Sequence, residues 1–159
     1  MSLFLTNLLL AVTWAALTAG FTLSGLAVGF VIGFVALWFT QPLFGGGQSP
    51  YFRRVWRALR LLVYFHYDLI KSSVAVAWDV LTPRHQAEPA LIEMPLDVKS
   101  DVEILLVTNL ISLTPGTLSV DVSEDRSRLL IHAMFAEDPE GLKRQLKDGM
   151  ERMVREVFE

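Results

Sequence analysis

The side chains that could do chemistry gather in one short stretch, where His66, Asp68, Lys71 and Asp79 stand among large apolar residues. An ionisable group held in or against a bilayer marks a proton or ion path, or the place where a partner's charge docks. His66 could join a proton path, or could rest with its ring tip among lipid headgroups. Asp68 and Lys71 are three apart on one helical face. They could answer a partner's charge or pair with each other, worth a few tenths of a kcal/mol. His85 and His132 lie elsewhere, and no histidine has metal-ligand spacing with another histidine or a carboxylate. Serine, histidine and acid do not line up as a triad, and the chain has no cysteine for a thiol nucleophile, a disulfide or a Cys-based metal site. The expectation is a protein that is not an enzyme, with no cofactor, no metal and no small-molecule substrate of its own.

These groups sit on a long helix, residues 53–81. At 100° per residue Arg53, Arg57, Arg60, Tyr64, Tyr67, Asp68, Lys71, Ala75 and Asp79 form a polar seam. Val55, Leu59, Leu62, Leu69, Ile70, Ser73, Val76, Ala77 and Val80 line the other side. Two arrangements are open. As a transmembrane span, each of Asp68, Lys71 and Asp79 would cost about 2.5 to 3.5 kcal/mol near the bilayer centre, against about 0.3 to 0.6 returned per large apolar residue. That balance favours an interfacial helix, apolar side down, its basic start at the anionic cytoplasmic surface. A third span with Asp68 and Lys71 paired to partner helices is the alternative.

The helix joins two halves that live in different solvents. No charged side chain precedes Arg53; five basic and two acidic residues lie up to Leu81, nine basic and fifteen acidic beyond it. An acidic soluble half argues against nucleic acid as a partner. Residues 1–40 read as an apolar membrane hairpin, with runs Leu3–Leu17 and Leu26–Phe39 on either side of a Thr/Gly/Ser turn. Small residues recur at helical spacing as Ala11, Ala15 and Ala19 on the first run and Gly25, Gly29 and Gly33 on the second. Such faces let membrane helices approach closely, on themselves or on another subunit. The amino terminus lacks the basic residues of a signal peptide, and cleavage after Ala19 would place Leu17 where a small residue is wanted, so it reads as retained. Residues 41–52 form a Gly/Pro linker, not a phosphate loop, since no Lys-Ser/Thr follows its glycines. Arg53, Arg54, Arg57 and Arg60 hold this region in the cytoplasm by the positive-inside rule.

A second linker, 82–90, leads to a small domain over 91–159. A strand over 90–98 carries Pro95, which suggests a sheet edge. Ser100 and Glu103 make a capping box for a helix over 101–113, whose apolar content predicts that it is buried. Thr114-Pro115-Gly116 stops it. A hairpin over 117–135 comes next, turning at 123–126, with Leu118, Val120, Val122, Leu129, Ile131, Ala133 and Phe135 predicted on one face. That register matches Asp121 with Arg128 and sets His132 near Thr117. One helix then runs from Asp138 to the end with Leu142, Leu146, Met150, Met153 and Val157 as its stripe. The order βαββα is most of a split-βαβ sandwich, so the fold class is a membrane hairpin and an amphipathic joint helix followed by a small α+β domain.

From the joint helix onward the sequence resembles the E subunit of the Mrp-type multisubunit cation/proton antiporter, the MnhE/PhaE family. The most specific stretches are Asn109 to Ser123, NLISLTPGTLSVDVS, and Leu129 to Met134, LLIHAM. Arg54-Val-Trp56, Ser72 to Val76 and Leu96 to Glu103 support them, while the apolar hairpin agrees in layout only. The resemblance implies an inner-membrane complex exchanging Na+, in some relatives K+, for protons. The chain would be an accessory component needed for assembly and coupling, multi-pass, with its soluble domain in the cytoplasm and other membrane subunits and the lipid bilayer as partners. The family's motif carries over onto Leu113, Thr114, Pro115, Gly116 and Thr117. The alternative, from another class, is a stand-alone membrane-anchored binding module.

Overall fold

The computed structural model describes residues 2–41, 49–83 and 87–159. The glycines and Pro42 of the first linker, and Arg84, His85 and Gln86 of the second, lie outside the described residues. The chain divides into two compact units, one ending at Val55 and the other running from Trp56 to Glu159.

In the first unit α1 spans Leu3–Leu17 and α2 spans Leu23–Thr40. Hydroxyls cap both: Ser2 Oγ accepts from the Leu5 amide and Thr22 Oγ1 from the Gly25 amide. Between them the Gly20 amide donates to the Ala15 carbonyl and the Ala19 amide to Ala16. This Schellman-type end puts Ala19 at φ +49°. Ala19 therefore stands outside α1, exposed in the turn, and does not extend the small-residue face expected through it. Ala11, Ala15, Gly29 and Gly33 are the buried small residues of the pair. Gly29 lies against the Ala11 carbonyl and Trp14, Gly33 against Asn7 and Leu10, so the helices run antiparallel. Among the described residues α2 alone is both long and apolar enough to cross a membrane; α1 is apolar but only 15 residues long.

The long helix α3, Pro50–Leu81, starts in the first unit and lies in the second from Trp56 on, where β1 (Ala90–Pro95), α4 (Asp101–Leu113), β2 (Thr117–Val122) and β3 (Arg128–Ala133) follow it. Then come α5 (Pro139–Leu146), a π-helical turn (Lys147–Glu151) and α6 (Arg152–Phe158). The sheet order is β1-β3-β2, with β3 antiparallel to both neighbours. The strands linked through α4 thus point the same way on either side of β3, which is a split βαβ unit. Met94, Val107, Ile111, Leu129, Ile131, Met150 and Val154 form its core.

Three expectations about this domain change. The hairpin is one residue out of the expected register: Thr117 pairs with Ala133 and Leu118 with His132, and a bulge at Val120 then brings Asp121 opposite Leu130. Because side chains alternate along a strand, the shift turns Leu118 and Val120 to the outer face while Leu129 and Ile131 stay in the core. Asp121 accordingly accepts from the Val122 amide, and Arg128 pairs with Glu93 on β1. The helix α4, expected to be buried, hides only Ile104, Val107 and Ile111 and leaves Val102, Leu105, Leu106 and Leu113 exposed. The final helix is broken by the π turn, whose extra residue rotates α6 relative to α5. Met153 and Val154 both face inward and Val157 is only half-buried.

Candidate functional site

The segment from Leu113 to Thr117 works through its backbone. Thr117 Oγ1 donates to the carbonyls of Ile111 at 2.7 Å and Thr114 at 3.1 Å, and Thr114 Oγ1 donates to Leu110 at 3.0 Å. The last carbonyls of α4 therefore find partners as the chain turns. Gly116 sits at φ +91°, a conformation L side chains rarely adopt, and its carbonyl accepts from Met134 at 2.7 Å. Thr114, Pro115, Gly116 and Thr117 aim α4 into β2, and Val76 of α3 lies against Gly116. Asp121 and His132 are on strands, His132 exposed on the outer face between Leu91 and Leu118.

The long helix carries the groups singled out for chemistry, and it has two faces. Leu61, Tyr64 and Phe65 pack on the domain's core. Further along, Asp68 and Asp79 are buried while Ser72 and Val76 are half-buried at the margin of the same flank. The polar seam thus turns toward the chain's own domain at Asp68 and Asp79. Burial raises the Asp68 carboxyl above the ordinary aspartate range, and the nearby Lys71 charge partly offsets it. Lys71 and His66 stand exposed, with His66 Nδ1 donating to the Leu62 carbonyl at 2.8 Å. The four groups do not form one cluster: Asp68 and Asp79 face inward and His66 and Lys71 outward, with Lys71 near enough for its charge to act on Asp68.

The opposite face is a continuous apolar stripe. Trp56, Leu59, Val63, Tyr67, Ile70, Val74, Trp78 and Leu81 succeed one another at spacings of three and four, and each is at least 50% exposed. The wheel named Leu59 and Ile70 but set Tyr67 on the polar seam and missed Trp56, Val63, Val74, Trp78 and Leu81. The repeating three-four-four spacing, legible in the sequence, would have found them.

Where α3 meets the domain, the contacts are close. Tyr64 Oη lies so near Gly149 that no Cβ fits there. Burial, with the Asp68 charge, raises the Tyr64 hydroxyl pKa, and Arg152 opposes the shift. Arg57 Nη1 donates to the Glu156 carbonyl at 2.5 Å, satisfying an end group of α6. Arg60 and Arg152 each stand 3.7 Å from the Glu156 carboxylate. Arg53 is exposed. Arg54 is exposed as well, and it has an interaction partner.

Sequence reasoning passed over Glu151. The π turn carries it inward to 1% exposure, where Oε1 accepts from the amides of Asp97 at 2.5 Å and Val98 at 3.1 Å. Its other oxygen meets no donor among the described residues. Lys147 and Arg155, four residues to either side, both reach Asp97. The spacing Lys147, Glu151, Arg155 was the available signal. In the first unit, Asn7 is the buried polar group, its Nδ2 donating to Tyr51 Oη at 2.9 Å. Among the described residues no three His, Cys, Asp or Glu gather as a metal site.

An apolar pair of helices, one of them long and apolar enough to cross a membrane, a two-faced helix and a small α+β domain define the class of chain this is. The chain belongs to the Na+/H+ ion antiporter subunit family, whose model matches residues 7–157. It is 34% identical over 153 residues to the E1 subunit of the Na+/H+ antiporter of Staphylococcus haemolyticus, covering 96% of this chain and 95% of that one. It is 34% identical to the E subunit of the Na+/H+ antiporter of Alkalihalophilus pseudofirmus, covering 96% of both. Among solved structures it resembles a chain of the membrane-bound sulfane sulfur reductase, an archaeal respiratory membrane complex. There the TM-score is 0.61 at 27% identity, over 99% of this chain and all of that one.

Proposed function

We propose that this protein is an accessory subunit of a multisubunit monovalent cation/proton antiporter of the inner membrane, needed for assembly and coupling and not itself an ion path. Its partners are the other membrane subunits and the bilayer. The family match across residues 7–157 carries this reading. The scatter of His66, Asp68, Lys71 and Asp79 over two faces of α3 supports the second half of it, since a proton relay needs groups within hydrogen-bonding reach.

In this reading α1 and α2 form the membrane hairpin, and Gly29 and Gly33 let them approach. The helix α3 lies along the cytoplasmic leaflet on its Trp56-to-Leu81 stripe and holds the acidic domain on the same side. Crossing is disfavoured because the face opposite the stripe is occupied by a water-soluble domain along Leu61 to Val76. The test uses the absence of native cysteine. Single cysteines at Ser49 and Ser127 should both resist an impermeant thiol label added to intact cells, and both should react after lysis. Labelling of Ser127 alone in intact cells would show that α3 crosses. Purification in mild detergent should bring down several very hydrophobic companions; a lone chain or homodimer would defeat the subunit reading.

A further inference from the structure

Beside the stripe there is an open cleft of about 520 Å³, lined by Trp56, Leu59, Val63 and Tyr67 of the stripe, by Arg60 and Tyr64, and by Met153 of α6. That volume is within the range of small-molecule sites. Its walls are apolar except where the Arg60 guanidinium and two tyrosine hydroxyls come to the edge. At that edge the charge is unbalanced: Arg57, Arg60 and Arg152 converge on the single residue Glu156. Arg57 uses the Glu156 backbone carbonyl, which leaves one carboxylate for two guanidiniums, each at the loose distance of 3.7 Å. Both remain about half exposed. Asp68, whose charge acts on the Tyr64 hydroxyl, is buried, and Lys71 opposes that charge.

We infer that this cleft holds one phospholipid with an anionic headgroup, an acyl chain lying against Val63, Tyr67 and Met153 and the phosphate on Arg60 and Arg152. Three features point to a lipid rather than to a partner protein. The cleft opens along the stripe that rests on the bilayer, so an acyl chain reaches it without leaving apolar surroundings. Trp56, Tyr64 and Tyr67 are the ring types that settle at headgroup depth, one end apolar and one end wet. The surplus guanidinium charge matches phosphate, which arginine binds through its planar fork. The inference rests on the interfacial placement of α3.

The test uses the full chain in phosphatidylcholine vesicles containing a minority of phosphatidylglycerol. Variants keep a single tryptophan, Trp56 or Trp78, the others replaced by phenylalanine, and bromine is carried on the acyl chains of one lipid or the other. Brominated phosphatidylglycerol should quench Trp56 beyond its share of the mixture, whereas Trp78 should track the bulk composition. Arg60→Gln should reduce the preference about fivefold, the worth of one guanidinium near an anionic lipid surface. Val63→Phe, at an exposed position, should fill the cleft and remove the preference while leaving Trp78 quenched. Equal quenching of Trp56 by both brominated lipids would overturn the lipid site and leave the interfacial helix standing. No quenching of either tryptophan would overturn the interfacial helix, and the site with it.

Discussion

The two units hide their contacts in opposite ways. In the α1–α2 pair the buried residues are small, Ala11, Ala15, Gly29 and Gly33, and the large residues Phe4, Leu9, Val31 and Trp38 stand on the outside. In the unit from Trp56 to Glu159 the buried residues are large, with Met94, Ile111, Leu129, Ile131 and Met150 almost wholly enclosed. In the proposed reading the difference reflects two solvents, lipid around the first unit and water around the second. In lipid, burying a leucine gains little, so helices associate by bringing backbones together. In water, burying apolar area is the main favourable term, at about 25 cal/mol per Å², so the core is made of bulk.

The strongest way to break this comparison is to exchange the rules. Gly29→Leu should separate α1 from α2, because even a Cβ at Gly29 would press on the Ala11 carbonyl and on Trp14. The intact complex should be lost on a native gel, and its survival at normal levels would count against the close approach. In the other unit the expected cost runs the other way. Ile131→Ala should cost about 2 to 5 kcal/mol through the cavity it leaves. Leu118→Ala, one strand away and outward, should cost less than about 0.5 kcal/mol. Denaturation of the detergent-solubilised chain measures both, and equal costs would restore the hairpin register that the sequence predicts.

Smaller effects sharpen the seam between α3 and the domain. Gly149→Ala should destabilise by about 1 to 3 kcal/mol through overpacking. Adding Tyr64→Phe should recover much of that, because the phenol oxygen is the atom in the way. An additive pair would refute the contact. Glu151→Gln should cost about 1 to 3 kcal/mol, since the amides of Asp97 and Val98 lose a charged acceptor. Hydrogen exchange at those two amides should speed up while the β2–β3 hairpin is unaffected.

The least of the effects is electrostatic, and its sign is defined. The folded state holds the Asp68 proton more tightly than the unfolded chain does. Its contribution is therefore greatest below the ordinary aspartate value of about 3.9 and falls as pH rises through the raised folded value. Asp68→Asn should flatten that part of the stability-pH curve and stabilise the chain at neutral pH. A steeper curve would place Asp68 in a favourable ion pair instead.

How much was legible in the sequence differs by element. The capping box at Ser100 and Glu103, the edge position of the strand carrying Pro95 and the stop at Thr114-Pro115-Gly116 were all readable, because each is decided within a few residues by hydroxyls, a missing N–H or a positive φ; the strand itself stops at Pro95 and does not run on to Val98. The family was readable too, from the stretch between Asn109 and Ser123. The hairpin register was not, since the bulge at Val120 depends on β1 and β2 both fitting β3. Nor was Glu151, whose turn inward depends on a π turn that packs against Tyr64.

The sequence by itself determined where the charges begin, which segments are helical and strand-like, and that small residues recur along the first two helices. These come from local preference and from periodicity. Only the tertiary structure decided which side of the long helix is covered, because its two flanks are both amphipathic enough to be buried. The domain takes the flank carrying Leu61, Phe65 and Asp68, where it supplies both a core and the Glu156 carbonyl that Arg57 binds. The flank from Trp56 to Leu81 is thereby left exposed, which is the face the proposed reading lays on the membrane.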